Sequence, residues 1–242
     1  MTPHKPALLF LAGMTVLVAV MLTMLSAGGF APLGVLGALW SGSFGSWYSI
    51  TSATLVRSIP LMLTGGAVAV AFRAGVFNIG AEGQLLAGAA AATAVALALP
   101  HGGMATTVLA LLAGAAAGSA WAGVAALLRA RFGVLEVIST IMLNFVALHV
   151  VSFLVRGPLQ EPTHTYPQTA SIVDAVHLPR LPGAGRLHAG IALALLVLAF
   201  GGWGLRRTAS GFRLLVAGES RAAAASAGMM NVERTIWGAF LC

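Results

Sequence analysis

The sequence has few charged residues, one lysine and one cysteine. Charged side chains make up 8% of its 242 residues, whereas they make up about 25% of an average soluble domain. Apolar side chains make up 59%. One buried core cannot hold that many, so most of them must face something other than water. The composition therefore excludes an ordinary soluble domain and indicates a membrane protein.

The single cysteine and single lysine exclude several kinds of site. With Cys242 alone, neither a disulfide framework nor a metal site with several cysteines can form. A phosphate-binding P-loop needs a lysine after its second glycine, and the one lysine, Lys5, stands at the start of the chain. We therefore expect no ATP hydrolysis by this chain, no catalytic residue and no metal ligand, so the chain is not predicted to be an enzyme.

Six apolar runs approach or exceed the length of about 20 residues that a helix needs to cross a bilayer. They cover residues 8–27, 50–72, 80–99, 104–128, 137–155 and 188–205. A seventh run begins near Thr235 and is still apolar at Cys242, from which we expect a chain truncated before its last helices. The predicted fold is all-α: one polytopic transmembrane helix bundle over residues 1–242, with six spans plus the start of a seventh.

The formal net charge of +7 is explained by membrane orientation. No run of Lys and Arg with interleaved aromatic residues is present, so no nucleic-acid partner is expected. If the N-terminus is cytoplasmic, nine basic residues fall on the inner side and three on the outer side, with Arg57 unassigned. Because inner loops carry an excess of Lys and Arg, we predict a multi-pass protein of the cell (inner) membrane with a cytoplasmic N-terminus, surrounded by membrane lipid.

Arg57 and Pro60 interrupt the second run. Two interpretations stay open at this point. Arg57 is either an interfacial residue whose side chain reaches the outer headgroups, or it belongs to a broken helix and lines a conducting path.

The segment 156–187 is predicted to lie outside the cell. It contains five prolines and polar residues such as Glu161 and Asp174, and a segment of this kind cannot span a bilayer. It is either a docking surface for a partner or a passive connector.

Small residues crowd the third and fourth spans, at 88–92 and 114–118. Gly or Ala at every fourth position lets two helix backbones approach closely, which is how helices associate when lipid removes the hydrophobic drive. These stripes predict a tightly packed bundle.

Residues 77–84 have the sequence FNIGAEGQ and directly follow the inner end of the second span. Asn78, Glu82 and Gln84 place one carboxylate and two amides at the inner edge of the membrane, among glycines that allow sharp turns. The alternative is that Glu82 only ends a helix in headgroup water.

Residues 136–144 have the sequence EVISTIMLN. Thr140 and Asn144 are four residues apart and so share one helical face, with Glu136 one turn earlier. Such a stripe either lines an aqueous path or makes hydrogen bonds between helices.

The segment 206–234 is predicted to be a cytoplasmic loop, and it contains five arginines. Ser220 is a suitable N-cap for a short alanine-rich helix that ends at Gly228. A short helix held along the inner membrane surface suits docking of a soluble partner, and a solvated loop is the alternative.

Together these three segments resemble ABC-transporter permeases of the branched-chain amino acid, simple-sugar and nucleoside import group, and they are most similar to the nucleoside and simple-sugar branch. Residues 218–228 resemble the cytoplasmic coupling loop of that group, in which a sequence of the type G-E-N-P-x-A-A is usual. Ser220 and Arg221 stand where the family commonly has Asn and Pro. The residues that carry this last resemblance are Gly218, Glu219, Ser220, Arg221, Ala222, Ala223, Ala227 and Gly228.

The resemblance implies a permease subunit of an ATP-driven importer for nucleosides or simple sugars. Its partners would be an ABC ATPase subunit, which binds ATP and Mg, a second permease chain, identical or homologous, and an external solute-binding protein or lipoprotein. No cofactor is expected in this chain. A branched-chain amino acid permease and an autonomous carrier or channel stay as alternatives. The candidates for the translocation path or its gate are Asn78, Glu82, Gln84, Thr140 and Asn144.

Overall fold

The computed structural model describes residues 5–226 and 237–238. Within them the chain is helical, and its only β-type pairing is an isolated antiparallel bridge between Arg180 and His188. Ala227, Gly228 and nearly all of the predicted seventh run lie outside the described residues. The α-helices are α1 (Lys5–Ala27), α2 (Pro32–Phe44), α3 (Val56–Arg73), α4 (Ala81–Ala98), α5 (Gly103–Phe132), α6 (Glu136–Arg156), α7 (Gly190–Arg207), α8 (Ala209–Glu219) and α9 (Arg221–Ser226).

Six helical segments of the described chain are long and apolar enough to cross a membrane. Each coincides with a predicted run, and no end differs by more than four residues. The prediction of an all-α, polytopic bundle is therefore confirmed. The segments are Leu9–Ala27, Ser49–Arg73, Ala81–Ala98, Gly103–Phe132, Glu136–Arg156 and Gly190–Arg207.

The chain divides into two compact units. The first consists of Met1–Val56 and Pro182–Leu187, and the second consists of Arg57–Leu181 and His188–Cys242. Each is described by itself below.

The first unit contains a helix that the hydropathy pattern did not predict. α2 has 13 residues and no buried side chain, and it is too short to cross a bilayer alone. Pro32 opens it at a position where a missing N–H costs nothing. Residues Ser49–Leu55 are π-helical, and they hold the short piece Pro182–Leu187: Ser52 Oγ accepts from the Arg186 N–H at 2.9 Å.

The second unit is built on a close crossing of α4 and α5. A Cβ placed on Gly88 would lie 2.9 Å from the carbonyl oxygen of Gly114, and one on Gly114 would lie 3.1 Å from the carbonyl oxygen of Gly88. One turn away, a Cβ on Gly118 would lie 3.2 Å from the Gln84 carbonyl oxygen. The two backbones therefore touch along the small-residue stripes, as the sequence predicts.

Among the described residues of this unit, two small apolar clusters each bring together residues from one predicted side of the membrane. One consists of Ala71, Ala74, Val76, Ala125, Ala126 and Ala217, all close to predicted inner loops. The other consists of Ala96, Ala110 and Val176, all close to predicted outer segments. The predicted alternation of loops thus agrees with the packing inside this unit.

Residues 156–181 of the predicted outer segment belong to the second unit, and they are hydrogen-bonded both to α5 and among themselves. Thr107 Oγ1 donates to the buried carbonyl oxygen of Val176 at 2.6 Å. The Glu161 carboxylate accepts from Gln168 Nε2 at 2.7 Å and from Thr163 Oγ1 at 2.9 Å. These bonds hold the pKa of Glu161 below its usual 4.5, and the bond from Gln168 has the largest effect.

Candidate functional site

The site begins at the turn that follows α3. The Gly75 N–H donates to the Phe72 carbonyl at 3.1 Å, and the Val76 N–H donates to the Ala71 carbonyl at 3.0 Å. This is the hydrogen-bond pattern of a Schellman helix end, which needs a left-handed residue. Gly75 supplies it with φ +67°. Ala74 and Val76 on either side are fully buried, so the turn is fixed both by its own bonds and by packing.

Asn78 directs the chain from this turn into α4. Its side chain is buried, and its Oδ1 accepts from the Gly80 N–H at 2.9 Å. An Asn side chain that bonds the backbone two residues later forms a local turn. Asn78 therefore sets the direction of the short connection between α3 and α4.

Two polar side chains of α6, those of Thr140 and Asn144, form hydrogen bonds with that connection. Thr140 Oγ1 accepts from the Ile79 N–H at 3.3 Å, and it donates to the Glu136 carbonyl one turn back at 2.7 Å. Asn144 Nδ2 donates to the Ile79 carbonyl at 3.0 Å, and Asn144 Oδ1 accepts from the Gly83 N–H at 2.8 Å. The sequence left open whether this stripe lines a path or bonds another helix, and Thr140 and Asn144 make bonds of the second kind.

Asn144 also acts as a cap for α4. The first N–H groups of a helix have no partner inside the helix. Gly80 precedes α4 without a side-chain cap of its own, and the N–H of Gly83 in the first turn is satisfied by Asn144 from another helix. The start of α4 is thus stabilised by a residue 61 positions later in the sequence.

A cavity of about 250 Å³ opens beside this cluster. The side chain of Glu82 is exposed and lines it together with Asn144, so one carboxylate and one amide face the same space. Gln84 is half-buried on α4, and its carbonyl packs against Gly118 away from this cavity. The lining residues are Ile79, Glu82, Ile141, Asn144, Phe145 and Leu148.

Trp121 of α5 closes the cluster from the other side. A Cβ on Gly83 would lie 2.9 Å from Asn144 Oδ1 and 3.0 Å from Trp121 Nε1, so only glycine fits between them. The indole N–H is buried and has no hydrogen-bond partner in the part of the chain that the structure describes. Sequence reasoning did not single out Trp121, because an isolated tryptophan in an apolar helix gives no signal of such a contact.

An ion pair joins the facing ends of α5 and α6. Arg129 Nη1 lies 2.9 Å from Glu136 Oε1, with side-chain exposures of 18% and 14%. Gly133, with φ +64°, forms the turn between them. The sequence pattern places Glu136 on the polar stripe, and this pair was not predicted, although a basic and an acidic residue flanking a glycine turn could have indicated it.

The described part of the predicted coupling segment contains two helices, α8 and α9, where one was expected. α8 is capped by Thr208, whose Oγ1 accepts from the Gly211 N–H at 3.1 Å, and it ends at the exposed residue Glu219. Ser220 is extended, with φ −156° and ψ 110°, and its carbonyl accepts from the Ala224 N–H at 2.9 Å. The short helix expected after Ser220 is present as α9, which includes Arg221, Ala222 and Ala223.

Gly218, near the end of α8, contacts the turn after α3. A Cβ on Gly218 would lie 2.8 Å from the Gly75 nitrogen and 2.8 Å from the Ala74 carbonyl carbon. A Cβ on Gly75 would lie 2.9 Å from the Gly218 carbonyl oxygen. The sequence singled out Gly218 as part of the predicted coupling loop but did not predict its contact with Gly75, because nothing local links positions so far apart.

The whole cluster lies within the region matched by a known family. Residues 50–242 match the family described as "Branched-chain amino acid transport system / permease component". No solved structure matches the chain.

Three curated relatives are similar over most of the chain. The glucose ABC transporter permease protein of Haloferax volcanii is 38% identical, covering 88% of this chain and 60% of the relative. The guanosine ABC transporter permease protein of Bacillus subtilis is 38% identical, covering 83% and 58%. The nucleoside ABC transporter permease protein of Lactococcus lactis is 30% identical, covering 87% and 60%. The chain thus spans less than two thirds of the length of each of these relatives.

Proposed function

Since the chain belongs to the family of permease components of branched-chain amino acid transport systems, we propose that it is the membrane-spanning subunit of an ATP-driven importer. The family match includes all three polar segments: the connection 77–84, the α6 stripe and the segment that contains α8 and α9. ATP and Mg would bind to a separate ABC ATPase, and a second permease chain would complete the path. An external solute-binding protein or lipoprotein would dock near the outer segment 156–187.

The proposed solute is a nucleoside or a simple sugar. The relatives described above are named for glucose, guanosine and nucleosides, which supports these solutes over a branched-chain amino acid. The cavity beside α6 is compatible with either, because Glu82 and Asn144 offer the hydrogen-bond acceptors and donors that hydroxyl groups and nucleobases need. The proposed path rests on this one structural observation, that Glu82 and Asn144 line the same cavity.

Coupling to ATP is proposed to act through α9. The extended residue Ser220 turns the chain out of α8 and into α9, so α9 forms a short separate helix suited to a groove on a soluble partner. Glu219 and Arg221 at this corner would offer charges to the ATPase. Closure of the ATPase domains on ATP binding would displace α9 and change which side of the membrane the path opens to.

Uptake by the reconstituted transporter tests this function. We expect the full permease, assembled with its ATPase and binding protein in liposomes, to take up labelled guanosine or glucose in an ATP-dependent, saturable way, and to ignore labelled leucine. Glu82→Gln should weaken the apparent affinity for solute in this uptake, because it removes the carboxylate from the cavity. The matched control is Glu219→Gln, which removes an exposed carboxylate outside the cavity and should leave that apparent affinity unchanged, even if coupling to the ATPase changes the maximal rate.

Two outcomes would contradict the proposal in different ways. Leucine uptake in place of guanosine and glucose uptake would favour the branched-chain amino acid alternative. Uptake that continues without the ATPase or without ATP would identify an autonomous carrier.

A further inference from the structure

α8 is held at both of its ends by contacts between backbone atoms. At its start, Gly211 packs directly on the carbonyl groups of Gly204 and Leu205 at the end of α7. The adjacent cap adds a hydrogen bond of 2.6 Å from Thr208 Oγ1 to the Gly204 carbonyl. The start of α8 and the end of α7 are therefore joined without any long side chain between them.

The other end of α8 is joined to α3 in the same way. Gly218 lies so close to the turn after α3 that a Cβ would meet the Arg73 carbonyl oxygen, the Ala74 carbonyl carbon and the Gly75 nitrogen. Ala217 beside it is buried, and half-buried Leu214 packs on the same cluster. Contacts made by backbone atoms have no rotamers that could absorb a displacement, and packed interiors are hard to compress.

The turn that Gly218 touches leads directly to the polar cluster of α6. Only three residues lie between Gly75 and Ile79. Val76 and Asn78 between them are buried, and the N–H and the carbonyl of Ile79 are bonded to Thr140 and Asn144. The side chains of Phe77 and Ile79 are exposed, but the buried residues and the bonded backbone of Ile79 fix the connection between the end of α8 and the residues that border the cavity.

From this arrangement we infer that the contact between Gly218 and Gly75 transmits movement of α9 to the connection 76–83 and hence to Asn144 beside the cavity. The inference rests on the proposed function, because it requires the ATPase to displace α9. Gly218 is in this view a positioning residue, because its role is exerted through the turn after α3, which it contacts. The contact transmits movement because the end of α8 at Glu219 cannot be displaced without also displacing the turn after α3.

Gly218→Ala tests the inference directly, and Gly202→Ala in α7 is its matched control. Both exchange a helical glycine for alanine, but a Cβ at 202 meets no atom within 4 Å. In the reconstituted transporter we expect Gly218→Ala to retain the ATPase and its basal hydrolysis while uptake falls at least tenfold and stimulation by solute is lost. Gly202→Ala should behave like the wild type in all three measurements.

A labelling measurement separates transmission from a general defect. In a Cys242→Ser background, the substitution Phe145→Cys in the cavity wall reports on access to the cavity. ATP should change its labelling rate in this background, and the additional Gly218→Ala exchange should abolish the change without altering the rate measured in the absence of ATP. A rate that still responds to ATP would overturn the inference.

A second pair of variants covers the case in which Gly218→Ala does not fold. Leu214→Ala loosens α8 from its cluster without a clash, whereas the neighbouring Leu215→Ala changes a side chain that is 37% exposed. We expect uptake to fall at least threefold in Leu214→Ala. The fall in Leu215→Ala should be less than half as large. Equal effects would overturn the inference.

The proposed function fails in a different way from the inference. If the wild-type chain neither retains an ATPase nor depends on ATP, the proposed function fails, and the transmission role fails with it. If the wild type is an ATP-driven importer and Gly218→Ala transports normally, only the transmission role is wrong.

Discussion

The two faces of α4 are held by opposite means. Toward α5 the helix presents Gly88, which packs on Gly114 with no side chain between the backbones. Toward α6 its start is held by the side chain of Asn144, which bonds Ile79 in the preceding connection and Gly83 in the first turn. One interface depends on the absence of side chains, and the other depends on a particular side chain.

The difference bears on movement. A backbone contact in a bilayer is stabilised by van der Waals packing, and it changes only if the two helices separate. Hydrogen bonds between helices contribute about 0.6 kcal/mol each, which is small enough for them to be exchanged during the proposed transport cycle. We therefore expect α4 and α5 to move together as one rigid body, and we expect α6 to be able to move relative to α4.

Substitution of Gly88 should have the largest effect. Gly88→Val places a branched side chain where even a Cβ would lie 2.9 Å from the Gly114 carbonyl, and overpacking of this kind costs about 1–3 kcal/mol. We expect a loss of that size in the free energy of unfolding, measured by SDS titration of the purified protein in detergent micelles. Gly65→Val in α3, where a Cβ would meet no atom within 4 Å, should cost clearly less, and equal costs would show that the close crossing is unimportant.

Removal of the Asn144 amide should have an intermediate effect. Asn144→Leu deletes two hydrogen bonds, one to Ile79 before α4 and one to Gly83 within it, and at about 0.6 kcal/mol for each such bond we expect a loss of about 1 kcal/mol in the same titration. His149→Leu changes an exposed polar residue of the same helix and serves as the control. If the two variants were equally stable, the bonds from Asn144 to the start of α4 would contribute nothing, and the comparison between the two faces would break down.

Removal of the Thr140 hydroxyl should have the smallest effect. Thr140→Val keeps the shape but loses the 3.3 Å bond from the Ile79 N–H, for which we expect about 0.6 kcal/mol or less. Thr140→Ser retains the hydroxyl and should keep most of that stability. A cost for Thr140→Val above that of Asn144→Leu would reverse the assigned order and make the hydroxyl the main link to α6.

The membrane spans could be predicted from the sequence because their signal is local. A run of about 20 apolar residues has few other uses, and the predicted ends were correct to within four residues. α2 was missed because its 13 residues are too few for that signal. α8 was missed because it lies in the arginine-containing segment, which hydropathy alone classifies as a loop.

The candidate site could be predicted only in part, for the same reason. Asn78, Thr140 and Asn144 stood out because polar residues are costly in an apolar background. Their partners are backbone groups of Ile79, Gly80 and Gly83, and every residue type carries such groups, so no pattern of residue types identifies them. The contact of Gly218 with Gly75 leaves no trace for a similar reason, since each glycine is explained by its own turn or helix.

That contact has a consequence for how such a protein can change over evolutionary time. Two side chains in contact can drift together, because a larger one on one helix is compensated by a smaller one on the other. Gly218 and Gly75 are in contact through backbone atoms. Since glycine is already the smallest residue, neither position can accept a smaller one to compensate for a larger residue at the other. Paired substitutions reveal many contacts between distant parts of a chain, but they would not reveal the contact between Gly218 and Gly75.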